Sequence, residues 1–189
     1  LSVIVIQIIK TIKKKLMNLK KNIILLTRKL PQKIEEKLQK KYTVIVNKSD
    51  KKYTYTELKK RVSDIDILVP CISDTIDASI IKAAKKLKLI SNFGNGVDNL
   101  DLITAKENNI IVTNTPDVLT EDTADLVLTM ILMISRKVLE AQKDLVNGNW
   151  SGWGPSETMG TRVRGKQVGI IGMGRIGSAV AKRLHTLGM

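Results

Sequence analysis

The sequence predicts an α/β fold: one complete doubly wound domain, followed by the opening of a second. Three observations carry this. Apolar runs of strand length recur from Asn22 to Val112, with a polar or helical stretch between each run and the next. The turn signal Asn114-Thr115-Pro116 then ends that rhythm. Further on, Val168–Met189 sets a G-x-G-x-x-G spacing between a short apolar run and an amphipathic stretch. Strands that alternate with helices imply a parallel sheet with right-handed crossovers.

The elements can be justified in order. Asn22–Thr27 is apolar and of strand length. Pro31–Lys41 reads as a helix, because Ile34 and Leu38 stand four apart on one face. Tyr42–Val46 is the next strand, and the polar run "NKSDKKYTYT" is a loop. Glu57–Val62 reads as a short helix and Ile65–Val69 as a strand. Thr75–Lys86 is expected to be helical with Ile76, Ile80, Ala83 and Ala84 inward, and Leu87–Asn92 to be a strand. Leu100–Asn108 should be a helix capped by Asp98 or Asp101, and Ile110–Val112 the last strand. Five strands in about ninety-five residues make a complete domain of the doubly wound, flavodoxin-like kind.

After Pro116 the pattern changes. Thr120 is expected to be an N-cap, with Glu121 and Asp122 in the first turn, where the helix dipole favours acid. Val127, Met130, Ile131, Ile134, Val138, Ala141 and Leu145 recur at helical spacing, which predicts one long helix to Val146. Its apolar surface is wider than one stripe, so it should pack between domains or between subunits. A loop follows to Gly165. Val168–Ile171 then reads as a buried strand and Ser178–Leu187 as a helix, with Gly172, Gly174 and Gly177 between them. This is the opening of a Rossmann unit. Gly172 permits a tight turn, Gly174 lets the backbone approach a pyrophosphate, and Gly177 lets the helix pack closely. The phosphates would lie at the helix N-terminus. The fingerprint's acidic residue falls about 20 residues later, so the choice between NAD and NADP stays open.

The net charge of +14 invites a nucleic-acid reading. Its distribution argues against one. Residues 1–61 hold 18 Lys+Arg and 4 Asp+Glu, whereas residues 62–189 hold 14 of each. The excess is lysine without interleaved aromatics, and a single-strand groove needs stacking residues. Solvated lysine-rich helix faces account for it. The single cysteine, Cys71, excludes an internal disulfide and is expected to be buried or half-buried. No Cys/His cluster has metal-ligand spacing, and no apolar run is long enough to span a membrane. Residues 1–16 start with Leu and place their charges after their apolar run, the reverse of a signal peptide. They are expected to be an upstream extension outside the fold that starts at Met17. An interfacial amphipathic anchor is the competing reading.

The segments "SNFGNGVDNLD", "IIVTNTPDVLTEDTADL", "GNWSGWGP" and "RGKQVGIIGMGRIGSAVAKRLHTLGM" together resemble the NAD(P)-dependent D-isomer-specific 2-hydroxyacid dehydrogenases. "WSGWGP" is most similar to the glyoxylate/hydroxypyruvate (glycerate) reductase branch. The resemblance implies a substrate-binding domain over residues 17–115 and an NAD(P)-binding domain from residue 116. It implies that Gly94-Asn95-Gly96-Val97 cradles the substrate carboxylate, with a glycine-demanding turn as the plainer reading. The family usually has a small apolar residue where Asn95 stands. Ile72 and Ser73 are expected to wall the same cleft. Thr123 resembles the family threonine beside the cofactor; otherwise it is a first-turn hydroxyl bonded to backbone. Gly172, Met173, Gly174, Arg175, Ile176 and Gly177 resemble the pyrophosphate loop, and Arg175 is either a further positive charge there or a surface residue. Trp150 and Trp153 are read as packing or interface residues.

The implied chemistry is hydride transfer between NAD or NADP and C2 of a small 2-oxo or 2-hydroxy acid. It uses an arginine, a glutamate and a histidine from later in the cofactor domain. No residue here matches them, and the single histidine, His185, is expected to be an ordinary helix residue. The chain is therefore expected to be a fragment, inactive alone, of a cytoplasmic homodimeric enzyme without nucleic-acid or membrane partners. The alternatives are a nucleotide-sensing binding protein on the same fold, or a basic nucleic-acid- or membrane-surface-binding protein acting through residues 1–61.

Overall fold

The computed structural model describes residues 22–156 and 159–189; the expected extension over residues 1–16 lies outside them. The chain divides into two compact units between Pro116 and Asp117.

In the first unit, five strands alternate with four helices: β1 (Ile23–Leu26), α1 (Gln32–Gln39), β2 (Thr43–Val46), α2 (Tyr55–Arg61), β3 (Ile67–Val69), α3 (Ala78–Ala83), β4 (Leu89–Ser91), α4 (Leu102–Glu107) and β5 (Ile111–Thr113). All pairings are parallel, in the order β2-β1-β3-β4-β5. That is the flavodoxin-like order. The register sets Leu25 beside Ile45 and Leu68. Side chains alternate between the faces of a strand, so β1 feeds two cores. Leu25, Leu68 and Ile90 pack with Leu58, Val62, Ile80 and Ala105 from α2, the turn after it, α3 and α4. Ile24, Leu26 and Ile67 pack on the other face with Leu38 and Tyr42. Burying a side chain such as Ile80, which is 0% exposed, contributes about 1.5–3 kcal/mol.

The helix boundaries follow local caps more closely than hydrophobic spacing. α2 begins at Tyr55 because Thr54 and Glu57 form a capping box. α3 begins at Ala78 because Asp77 caps it, while Ile76 pairs with Leu100 in an isolated bridge. α4 begins after Asp101, not Asp98, since Asp101 accepts from the Thr104 N–H.

The second unit contains α5 (Thr120–Ser135), α6 (Val138–Val146) and α7 (Arg175–Thr186). Ala124 of α5 is buried against Ala179, Val180 and Leu184 of α7. Arg183 clamps the pair, with Nη2 2.8 Å from Glu121 Oε2 and Nε 2.6 Å from Asp125 Oδ1. Three expectations need correction. The single long helix is two, because Lys137 adopts a left-handed conformation at φ 51° and breaks the hydrogen-bond ladder. Gly160 sits against the end of α5, where any Cβ would collide with Ser135 O and the Arg136 backbone. Leu119, not Thr120, is the N-cap residue, because a turn from Asp117 delivers the chain to the helix one residue earlier. Val168–Ile171 is not a paired strand, and Ile171 is fully exposed. A strand needs a ladder partner, and this unit offers none among the described residues.

Asp77 makes the capping argument testable. Its carboxylate accepts from the Ile80 N–H at 2.9 Å and from the Tyr55 hydroxyl. The Ile80 bond holds its carboxyl below the ordinary 3.8, against the opposing effect of desolvation. A depressed folded-state pKa stabilises above the unfolded value and loses that contribution as pH falls through the folded one. Asp77→Ala should cost about 1 kcal/mol at neutral pH in urea unfolding, and the gap should close as the pH drops below 3.8.

Candidate functional site

The loops after β3, β4 and β5 meet at the carboxyl edge of the first unit's sheet, where parallel α/β sheets bind ligands. Asp74 is buried and anchors the loop after β3: its Oδ2 accepts from the Thr27 hydroxyl and from the Cys71 N–H, the latter at 2.8 Å. Cys71 is half-buried and free. The loop leaves Ile72 62% exposed and Ser73 exposed. A parallel bridge joins Cys71 to Phe93, so this loop runs beside the one after β4. There Ile72 meets the Gly94–Val97 segment. A Cβ on Gly94 would collide with Cγ2 of Ile72, so this position requires glycine. The structure thus brings Ile72 together with Gly94.

The cradle itself is set by its carbonyls. Gly94 O accepts from the Thr115 N–H at 3.0 Å, Asn95 O from Asn114 Nδ2 at 2.7 Å, and Gly96 O from Asn92 Nδ2 at 2.9 Å. In a trans peptide, the C=O and the following N–H point in opposite directions. The N–H groups of Asn95, Gly96 and Val97 therefore face away from these tethers. None of them donates to a protein acceptor among the described residues. Three consecutive donors on one short loop suit a carboxylate. Neither Gly94 nor Gly96 has a positive φ, so the donors are aimed by the tethered carbonyls and not by a left-handed turn. At Gly96 an added Cβ meets nothing closer than Asp98 Oδ2 at 3.9 Å. Neither backbone strain nor a close neighbour therefore requires glycine there. Asn95 Oδ1 is buried, without a donor among the described residues.

In the second unit, Gly172 has φ 94°, a left-handed conformation that favours glycine. A Cβ on Gly177 would collide with Gly172 O, so α7 starts directly against the turn. A Cβ on Gly174 would project into open space, and no side chain among the described residues caps the helix. The first-turn N–H groups at Arg175, Ile176 and Gly177 are thus free of a cap, with the positive end of the macrodipole behind them. These residues fit a pyrophosphate. Met173 is exposed beside them. Arg175 is held by Asp117, with Nη1 2.7 Å from Oδ1. Thr123 lies in the first turn of α5, and its N–H bonds to Leu119 O. His185 is exposed on α7.

Sequence reasoning missed Asn92, Asn99 and Asn114. The signal was available: each amide sits just before or after a segment already singled out, and Asn92 ends an apolar strand where a polar side chain needs a reason. The orphaned oxygen of Asn95 gives a test of this geometry. A buried acceptor without a partner costs free energy. Asn95→Ala should raise stability by about 1 kcal/mol, read as a higher urea midpoint at unchanged slope.

Comparisons with known proteins bear on the fold and the family. Residues 24–181 match the family model of the D-isomer specific 2-hydroxyacid dehydrogenase, catalytic domain. The glyoxylate reductase of Thermococcus onnurineus is 37% identical over 170 residues, which are 88% of this chain and 51% of that protein. That of Thermococcus kodakarensis is 38% identical over the same shares. The chain spans about half the length of these curated relatives. Among solved structures, the TT0316 protein from Thermus thermophilus superposes with a TM-score of 0.83 at 41% identity, covering 88% of this chain and 54% of that one. An NADPH-dependent glyoxylate/hydroxypyruvate reductase from Sinorhizobium meliloti, solved with NADP and malonate, gives 0.72 at 29% identity, covering 88% and 51%. With a matching five-stranded parallel sheet and these relatives, the chain belongs to the D-isomer specific 2-hydroxyacid dehydrogenase family.

Proposed function

We propose that this chain supplies the substrate cradle and the first nucleotide-binding elements of an NAD(P)-dependent reductase of small 2-oxo acids, glyoxylate or hydroxypyruvate. The observation that carries the reading is that the three consecutive N–H groups of Asn95, Gly96 and Val97 donate to no protein acceptor among the described residues, while the carbonyl before each is tethered. The names of the curated relatives support the substrate class. The Gly172–Gly177 turn supports a dinucleotide, whose bound nicotinamide would supply or accept the hydride at C2. The chain's own residues do the rest of the work described so far. The Asn95–Val97 N–H groups hold the carboxylate, and Ile72 and Ser73 bound the cleft. Arg175, Ile176 and the other first-turn N–H groups of α7 hold the pyrophosphate, with Thr123 beside the cofactor.

Turnover also needs a group to move a proton at the hydroxyl oxygen and a cation to hold the carbonyl. His185, exposed on α7, is not that group. We propose that residues 1–189 bind these ligands without turning them over. The enzyme is proposed to be a cytoplasmic homodimer. A second copy would cover the apolar outer face of the second unit. Leu126, Met130 and Ile134 are 52–73% exposed along one side of α5. A groove of about 530 Å3 between α6 and the following loop is lined by Leu145, Trp150 and Trp153.

Gly96→Val should weaken glyoxylate binding by calorimetry through crowding of the cradle, while leaving the unfolding midpoint unchanged, because an added Cβ meets no protein atom closer than Asp98 Oδ2 at 3.9 Å. Unchanged binding would remove this loop from the site. Residues 1–189 with NADH or NADPH should show no reduction of glyoxylate or hydroxypyruvate. Stoichiometric turnover insensitive to Gly174→Val would contradict the proposal.

A further inference from the structure

Two asparagine side chains behind the cradle form a reciprocal amide pair. Asn92 Nδ2 lies 3.2 Å from Asn99 Oδ1, and Asn99 Nδ2 lies 3.2 Å from Asn92 Oδ1. Each amide also reaches a backbone carbonyl on a different loop: Asn92 donates to Gly96 O at 2.9 Å, and Asn99 donates to Cys71 O at 3.3 Å. Asn92 is 1% exposed. Its own N–H bonds to Thr113 O, which fixes its backbone to the end of the sheet, and Asn99 O accepts from Ile76 N. The pair therefore ties the cradle and the loop that carries Ile72 and Ser73 to one rigid frame.

We infer that Asn92 and Asn99 are positioning residues of the carboxylate cradle. Asn92 holds the Gly96 carbonyl inward and so aims the Val97 N–H outward, and Asn99 fixes the amide plane of Asn92. This rests on the cradle reading above, and it adds a division of labour within the loop. Each outward donor has its own tether: Thr115 N–H for Asn95, Asn114 Nδ2 for Gly96, and Asn92 Nδ2 for Val97. Losing one tether frees one peptide plane and leaves the other two held. The plane that is freed turns toward whichever acceptor or solvent is nearest, and its N–H no longer adds to the row. A purely structural role for Asn92 would instead weaken all three donors together or none.

The test is a titration of the 15N-labelled chain with sodium glyoxylate and, separately, with oxalate, followed at backbone amides. In the wild-type chain the Asn95, Gly96 and Val97 amides should shift together and saturate. In Asn92→Ala the affinity should fall about tenfold, which corresponds to the loss of one charge-assisted hydrogen bond. At saturation the Val97 amide should no longer respond, while Asn95 and Gly96 still do. Asn99→Ala should give a smaller loss with the same pattern, and Asn114→Ala should silence Gly96 in place of Val97. The amides of Leu25, Leu68 and Ile90 report whether each variant stays folded. If Asn92→Ala unfolds, Asn92→Ser, which keeps a short donor beside Gly96 O, should restore the fold with an intermediate affinity. A wild-type response that survives unchanged in Asn92→Ala, or that falls uniformly across the three amides, overturns the positioning role. Absence of any response at these amides in the wild-type chain overturns the cradle reading, and the positioning role with it.

Discussion

The candidate site depends on three carbonyls being spoken for. A peptide plane cannot aim its N–H without aiming its C=O the other way. At Gly94, Asn95 and Gly96 each carbonyl is held from behind, by a backbone N–H and by two asparagine side chains. The N–H that follows each carbonyl points away from that carbonyl's tether, and none of the three donates to a protein acceptor among the described residues. Those tethers need a frame of their own. Thr115 and Asn114 follow β5, and Asn92 ends the run that begins with β4. The parallel pairing of these two strands therefore sets the spacing of the cradle. Behind them lies the apolar layer of Ile80, Ile90 and Leu68. Core packing, sheet register and donor direction form one chain of cause.

The second unit solves a similar problem with different means. Its donors belong to the first turn of a helix, where they are free by geometry and need no tether. What must be arranged is access. Gly172 turns the chain, Gly174 leaves the approach open, and Gly177 lets the helix start against the turn. Arg183 fixes the helix to its neighbour through Glu121 and Asp125, both in the first turns of α5. Bonds to those two carboxylates push the guanidinium further into its charged range. A rigid support under a precise donor set is what a binding site needs.

Much of this was legible in the sequence. Apolar runs at strand spacing gave all five strands of the first unit, because in a buried parallel sheet the hydrophobic signal and the fold coincide. Gly172 and Gly177 were readable because backbone geometry demands them, by a positive φ at the first and a close helix start at the second, and Gly174 was readable from the spacing between them. The failures have local causes. Lys137 carries no glycine or proline to announce a break, so the apolar periodicity ran through it. Thr120 is a good capping residue by type, yet the turn from Asp117 places Leu119 at the cap. Val168–Ile171 has a strand's composition, but pairing is a tertiary property. Asn92, Asn99 and Asn114 were passed over because an asparagine's role depends on which carbonyl lies opposite, and sequence alone does not show that. Asn95 was singled out as unusual, and the structure gives that a physical form in a buried oxygen without a donor.

The measurement that bears most directly on this account is a crystal structure of the chain soaked with oxalate, an unreactive analogue of glyoxylate. The account predicts a carboxylate whose oxygens lie within about 3.2 Å of the Asn95, Gly96 and Val97 nitrogens. The carbonyls of Gly94, Asn95 and Gly96 should keep their present partners. A carboxylate bound elsewhere in the first unit, or a cradle whose carbonyls have turned toward the ligand side, would contradict it.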